Sequence, residues 1–136
     1  MGTEKQIFDS CRVVAIVGIS PNPDRPSYRV ASYLKENGYK VVPVNPTTGE
    51  ILGETCYPDL SSIPETVDVV DIFRRSEEVP AIVEDAIKIA TKAVWMQEGV
   101  VNEAAAAHAR ASGLLVVMDR CMLKEHQKLR NSANRK

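Results

Sequence analysis

Val13-Val14-Ala15-Ile16-Val17-Gly18-Ile19-Ser20-Pro21-Asn22-Pro23-Asp24-Arg25-Pro26-Ser27-Tyr28-Arg29-Val30 is the stretch that decides the fold. Its first five residues are apolar and mostly β-branched, the pattern of a strand buried on both faces. Gly18 ends that strand and a polar, proline-studded loop follows. Ser27 then stands where a helix N-cap is expected, ahead of Val30, Ala31 and Leu34 on one helical face. A buried strand, a glycine turn and a helix N-terminus bring free N–H groups and the positive end of a helix dipole to one point. The ligand such a point favours is a phosphate.

The loop departs from the usual dinucleotide fingerprint, in which Gly-x-Gly-x-x-Gly turns tightly against a pyrophosphate. Only Gly18 is kept, and the next two glycine slots hold Ser20 and Pro23. Hydroxyls at Ser20 and Ser27 and the guanidinium of Arg25 can hold a diphosphate by side-chain donors instead. The bland alternative is a well-capped βα turn with no ligand.

Working outward, the 136 residues fit one domain with a real core. An apolar fraction of 44% and a charged fraction of 26% are those of an ordinary globular chain. With 17 basic and 18 acidic side chains the formal charge is −1, which gives no bulk attraction to nucleic acid or anionic membrane. The apolar runs are too short to span a bilayer, and the first residues lack a secretory h-region. Cys11, Cys56 and Cys121 are too widely spaced for a disulfide framework or a metal motif. A reducing cytoplasm is the expected location.

Strand and helix signals alternate along the chain. Helices are expected at Thr3 to Ser10, at Ser27–Asn37 (closed by Gly38), from Ser76 to about Thr91, from Glu103 to Ala111 behind an Asn102 cap, and from about Cys121. Strands are expected at Val13–Val17, Lys40–Val44, Val67–Phe73, Ala93–Met96 and Leu114–Met118. This order predicts an α/β fold, a three-layer Rossmann-like arrangement in which a parallel five-stranded sheet carries helices on both faces. Right-handed crossovers leave a flavodoxin-like or half-Rossmann strand order. No linker divides the chain, and residues 131–136 are expected to fray.

In such sheets ligands lie beyond the carboxyl ends of the strands. The segments there are Gly18–Ser27, Asn45-Pro46-Thr47-Thr48-Gly49, Phe73-Arg74-Arg75-Ser76, Gln97-Glu98-Gly99 and Asp119-Arg120-Cys121. An NAD enzyme would place an acid where Asn45 stands, which counts against that cofactor. Asn45-Pro46 reads equally well as a plain turn. Phe73 beside Arg74 can clamp an adenine or a 3′-phosphate, or sit in the core with its arginines in water. Trp95 fits core packing slightly better than ligand contact. Cys121 is either a thiolate at a helix N-terminus, able to form a mixed disulfide with a ligand thiol, or an inert buried thiol. His108 and His126 read as surface residues. Asp68 and Asp71, three apart in a strand, point to opposite faces and share no acid–base role.

The series Val-Gly-Ile-Ser…Arg-Pro-Ser-Tyr, Pro-Val-Asn-Pro, Ile-Leu-Gly-Glu-Thr-Cys-Tyr-Pro-Asp-Leu, Val-Asp-Val-Val-Asp-Ile-Phe-Arg, Ala-Val-Trp-Met-Gln-Glu-Gly-Val and Met-Asp-Arg-Cys-Met resembles the small single-domain CoA-binding proteins. Their fold is that of the CoA-binding domain in the α subunit of succinyl-CoA synthetase. The resemblance runs from Arg12 to Leu129 and makes residues 1–130 one CoA-binding domain. It implies coenzyme A or an acyl-CoA as the small-molecule partner, with Gly18, Ser20, Arg25, Ser27 and neighbouring Tyr28 at the diphosphate. Asn45 and Pro46 would lie near the adenosine, Phe73 and Arg74 beside the nucleotide. Trp95, Gln97 and Gly99, with Cys121 at the same edge, would line the pantetheine path. Neither His108 nor His126 matches the phosphorylated histidine of the synthetase, so the resemblance implies binding and not ligase activity. An NAD(P)-binding oxidoreductase, a nucleotide sensor and a scaffold with a vestigial pocket are the competing readings. Val100, Val101, Met118 and Met122 would serve a partner subunit as well as the core, which leaves a homo-oligomer open.

Overall fold

The apolar run Val13–Val17 is the strand its composition predicts, and it lies inside the sheet with a parallel neighbour on each side. The computed structural model describes residues 2–133. In chain order these form α1 (Gly2–Ser10), β1 (Val13–Val17), α2 (Pro26–Glu36), β2 (Lys40–Val44), β3 (Glu50–Ile51), β4 (Glu54–Thr55), β5 (Val69–Ile72), α3 (Val79–Lys88), β6 (Ala93–Met96), α4 (Glu103–Ala111), β7 (Leu115–Val117) and α5 (Met122–Ala133). Five strands make one parallel sheet in the order β2-β1-β5-β6-β7. This is the Rossmann-like architecture, with the strand sequence of flavodoxin-like sheets. Tyr57 adds a single parallel bridge to Val44 on the outer side of β2, where a full Rossmann sheet carries a further strand.

The two faces of the sheet bury different helices. Val14, Ile16, Val69 and Trp95 pack under α1, α2 and α5 through Ile7, Phe8, Leu34 and Met122. Ala15, Val70, Ile72, Val94 and Met96 pack under α3 and α4, whose Val83, Ala86, Ala105, Ala106 and Ala109 are fully or nearly fully buried. Burying a Val, Leu or Ile side chain contributes about 1.5–3 kcal/mol, so both layers stabilise the sheet substantially.

Several boundaries differ from the sequence reading for local reasons. α2 begins at Pro26, whose ring presets φ for the first helical position, so its N-cap is Arg25 and not Ser27. α3 begins at Val79, after a 3-10 turn at Ser76–Glu78, and Ser76 does not cap it. Pro80 explains this: in a helix starting at Ser76 it would owe the Ser76 carbonyl an N–H that it lacks. Asn102 Nδ2 satisfies that carbonyl instead at 3.0 Å, and Ser76 Oγ accepts from the Val101 N–H. Asn102 also caps α4 as expected, accepting from the Ala105 N–H. The hairpin β3–β4 and a 3-10 turn at Leu60–Ser62 occupy a stretch without periodic signal. β5 and β7 are shorter than expected. Asn131, Ser132 and Ala133 are helical where a frayed tail is expected, and residues 134–136 lie outside the described residues.

Two polar residues also differ from expectation. His126 is not a surface bystander: it packs against Phe8, Tyr33 and Tyr39, with Nδ1 2.7 Å from the Tyr33 hydroxyl. Asp71 does point away from Asp68, but into the core, and both its carboxyl oxygens are buried without a hydrogen-bond partner among the described residues. His108 is exposed as expected, paired with Glu84 at 2.8 Å. Val100 and Met122 belong to the chain's own core, whereas Val101 is 40% exposed. No described helix is long and apolar enough to cross a membrane.

Candidate functional site at the carboxyl edge of β1 and β5

From β1 the chain continues to β2 on one side, and from β5 to β6 on the other. The gap between the carboxyl ends of β1 and β5 is therefore the topological switch point, where open α/β sheets bind ligands. Gly18 sits in it. Its φ of +88° lies in the left-handed region, and its N–H donates to Val44 O at 3.1 Å. A Cβ at this position would stand 2.5 Å from Phe73 O and 2.7 Å from Arg74 Cδ. Glycine is required here by both backbone angle and close approach.

Beside Gly18 opens a cavity of about 480 Å³, within the range of small-molecule sites. Val17, Val44, Leu60 and Ile82 give it apolar walls, with Pro46 and Pro58 nearby. Asn45, Thr47, Asp59, Arg74, Glu78 and Asp85 supply its polar groups. Asn45 ties two loops together, donating from Nδ2 to Ile19 O and accepting at Oδ1 from the N–H and hydroxyl of Thr47. Arg74 donates from Nε and Nη2 to Glu78 Oε1 at 3.0 and 2.6 Å, while Arg75 Nε reaches Oε2 at 3.1 Å. These guanidinium contacts hold the Glu78 carboxyl below its ordinary range.

The loop after β1 is ordered by its own side chains. Ser27 Oγ accepts from the Ser20 N–H at 2.9 Å, Ser20 Oγ from Asn22, and Asn22 Oδ1 from Asp24. Ser27 thus staples the loop to the start of α2. Arg25 is exposed at the helix N-cap, and Tyr28 is half-buried against the core.

Of the residues singled out in the sequence, Gly18, Asn45, Pro46 and Arg74 meet in the cavity. Phe73 joins Arg74, Arg75 and Glu78 in a smaller adjoining cleft. Trp95 is fully buried, packed on Phe8 with its indole N–H donating to Arg120 O, and presents no surface to the edge. Gln97 is also buried, and its Oε1 accepts from the Met122 N–H at the start of α5. Gly99 N–H donates to Asp119 Oδ1, which fixes the loops after β6 and β7 together. Cys121 is 9% exposed and belongs to the same core cluster as Trp95, the position of a packing thiol. The sequence reading missed Leu60, Glu78, Ile82 and Asp85. Spacing could have found three of them, since Glu78, Ile82 and Asp85 recur at i, i+4 and i+7 along one face.

Comparison with known proteins identifies the family of the chain. A Bacillus subtilis (strain 168) protein, the uncharacterized YneT, is 37% identical over 122 residues, covering 90% of both chains. The ADP-forming acetate–CoA ligase II of Archaeoglobus fulgidus is 33% identical over 93 residues, 66% of this chain and 14% of the ligase. A hypothetical protein from Pyrococcus horikoshii OT3 superimposes with a TM-score of 0.90 at 41% identity, covering 94% of this chain and 90% of that one. The model of the CoA binding domain family matches residues 12–127. The chain belongs to the CoA-binding domain family.

Proposed function

We propose that this protein binds coenzyme A or an acyl-CoA, with the nucleotide end held across the β1–β5 switch point. The observation that supports this most is the joining of an apolar cavity to an arginine pair at the place where such sheets take nucleotides. In this reading the adenine enters between Val44, Leu60 and Ile82. Carboxylates at Asp59 and Asp85 accept hydrogen bonds from its amino group or the ribose. The diphosphate lies on the N-terminus of α2, where the helix dipole and Arg25 both favour negative charge. Arg74 and Arg75 take the 3′-phosphate. The pantetheine arm then runs over the loops after β6 and β7, past Gly99.

Only the binding of the CoA nucleotide is carried over from the ligases, of which the chain spans 14% in the A. fulgidus example. The neutral Asn45 at the end of β2 disfavours NAD, whose ribose is normally held by an acid there. Isothermal titration of the ligand-free protein with CoA, dephospho-CoA and NAD tests the reading. CoA should bind tightest. Dephospho-CoA should be weaker by about tenfold or more, the scale of one lost charge-assisted contact. Preference for NAD, or no heat with any of the three, overturns it.

A further inference from the structure

The seat assigned above to the 3′-phosphate is filled from within the chain. Phe73, Arg74, Arg75 and Glu78 frame a cleft of about 270 Å³ that adjoins the main cavity, since Arg74 and Glu78 line both. Glu78 divides its carboxylate between the two guanidiniums. Oε1 takes two donors from Arg74, and Oε2 takes Nε of Arg75. A fork of two N–H groups on one carboxylate is the geometry that the same arginine offers to a phosphate.

We propose that Glu78 is a built-in competitor for the phosphomonoester of the ligand, occupying the Arg74–Arg75 seat until the phosphate displaces it. This rests on the CoA reading and deepens it. A phosphomonoester brings up to two negative charges and three terminal oxygens against one charge and two oxygens on the carboxylate, so it wins the exchange. Dephospho-CoA brings nothing to the seat and leaves the clamp closed. The displaced carboxylate keeps a favourable position, because Glu78 is the N-cap residue of α3 and faces the positive end of that helix. Glu78 thereby sets how much ligand phosphate is needed to open the site. The rival role is that of a positioning residue, with Glu78 holding Arg74 toward the ligand, and it predicts an effect of opposite sign.

The test titrates the wild type, Glu78→Gln and Glu84→Gln with CoA and with dephospho-CoA at one ionic strength. Glu84→Gln removes the same charge from α3, where it pairs with the exposed His108, and serves as the matched control. Glu78→Gln should tighten CoA by about fivefold, the scale of one surface ion pair, and shift dephospho-CoA by less than about twofold. Glu84→Gln should change neither. Weaker or unchanged CoA binding by Glu78→Gln overturns the competitor role, as does an equal gain for dephospho-CoA. If wild type and variant both fail to bind CoA, the functional reading itself falls and this role with it.

Discussion

Gly18→Ala destabilises the fold by about 3 kcal/mol, the sum of a left-handed backbone penalty and an overpacked contact. The size follows from which atoms stand in the way. Arg74 Cδ, 2.7 Å from the added Cβ, belongs to a flexible side chain and can move. Phe73 O, at 2.5 Å, is backbone and cannot, because the Phe73 N–H donates to Val17 O at 2.8 Å and holds the two strands together. Relief therefore requires the β1 and β5 ends to part, which is where the ligand is proposed to sit. Affinity for CoA should fall with stability, by about tenfold or more. Gly49→Ala is the control, since nothing lies within 4 Å of its added Cβ, and it should stay within about 0.5 kcal/mol of wild type. Urea unfolding of the three proteins measures this. A Gly18→Ala protein as stable as wild type would mean that β1 and β5 do not approach as described.

Asp71→Asn gains stability relative to wild type as the pH rises. Asp71 lies in β5 beside Ile16 and Trp95, fully buried, and neither oxygen has a hydrogen-bond partner among the described residues. Burial pushes its carboxyl well above the ordinary aspartate value of 3.8 and outweighs the opposing influence of the Ile72 backbone. The folded protein keeps a proton that the unfolded chain releases above that value. Where the native state binds more protons, stability falls as pH rises. The window opens at the ordinary value and closes at the raised one. Asparagine has nearly the same shape and does not titrate, so its advantage grows through that window by about 1.4 kcal/mol per pH unit. Other groups, including His126, titrate alike in both proteins and cancel in the difference. Urea midpoints in mildly acidic and mildly alkaline buffer give the comparison. A difference between variant and wild type that does not grow with pH would mean that Asp71 is ionised and partnered in the native protein.

The layered fold was legible because its signals are local and repeated. β1, β2 and β6 fall at the residues their apolar runs mark, and Asn102 announces α4. Proline moved the starts of α2 and α3, because Pro26 and Pro80 decide which N–H groups exist to be paired. The stretch from Asn45 to Asp68 has no periodicity, yet it supplies Pro58, Asp59 and Leu60 to the cavity. Its place depends on a hairpin and one bridge to Val44, which are tertiary events. Position along a strand also fails to say which edge residues face outward. Gly18, Asn45, Pro46 and Arg74 reach the cavity, while Trp95 and Gln97 are consumed in bracing α5 and the Arg120 loop. Leu60 and Ile82 carry no sequence signal of their own, because cavity walls differ from core only in the space beside them.

A crystal structure of the protein with CoA would show whether the ligand lies across the carboxyl ends of β1 and β5. The expected structure has adenine between Leu60 and Ile82, the 3′-phosphate on Arg74 in place of Glu78, and the diphosphate over the N-terminus of α2. CoA bound elsewhere, or seated at this edge with its adenine outside the cavity and Arg74 still on Glu78, would contradict it.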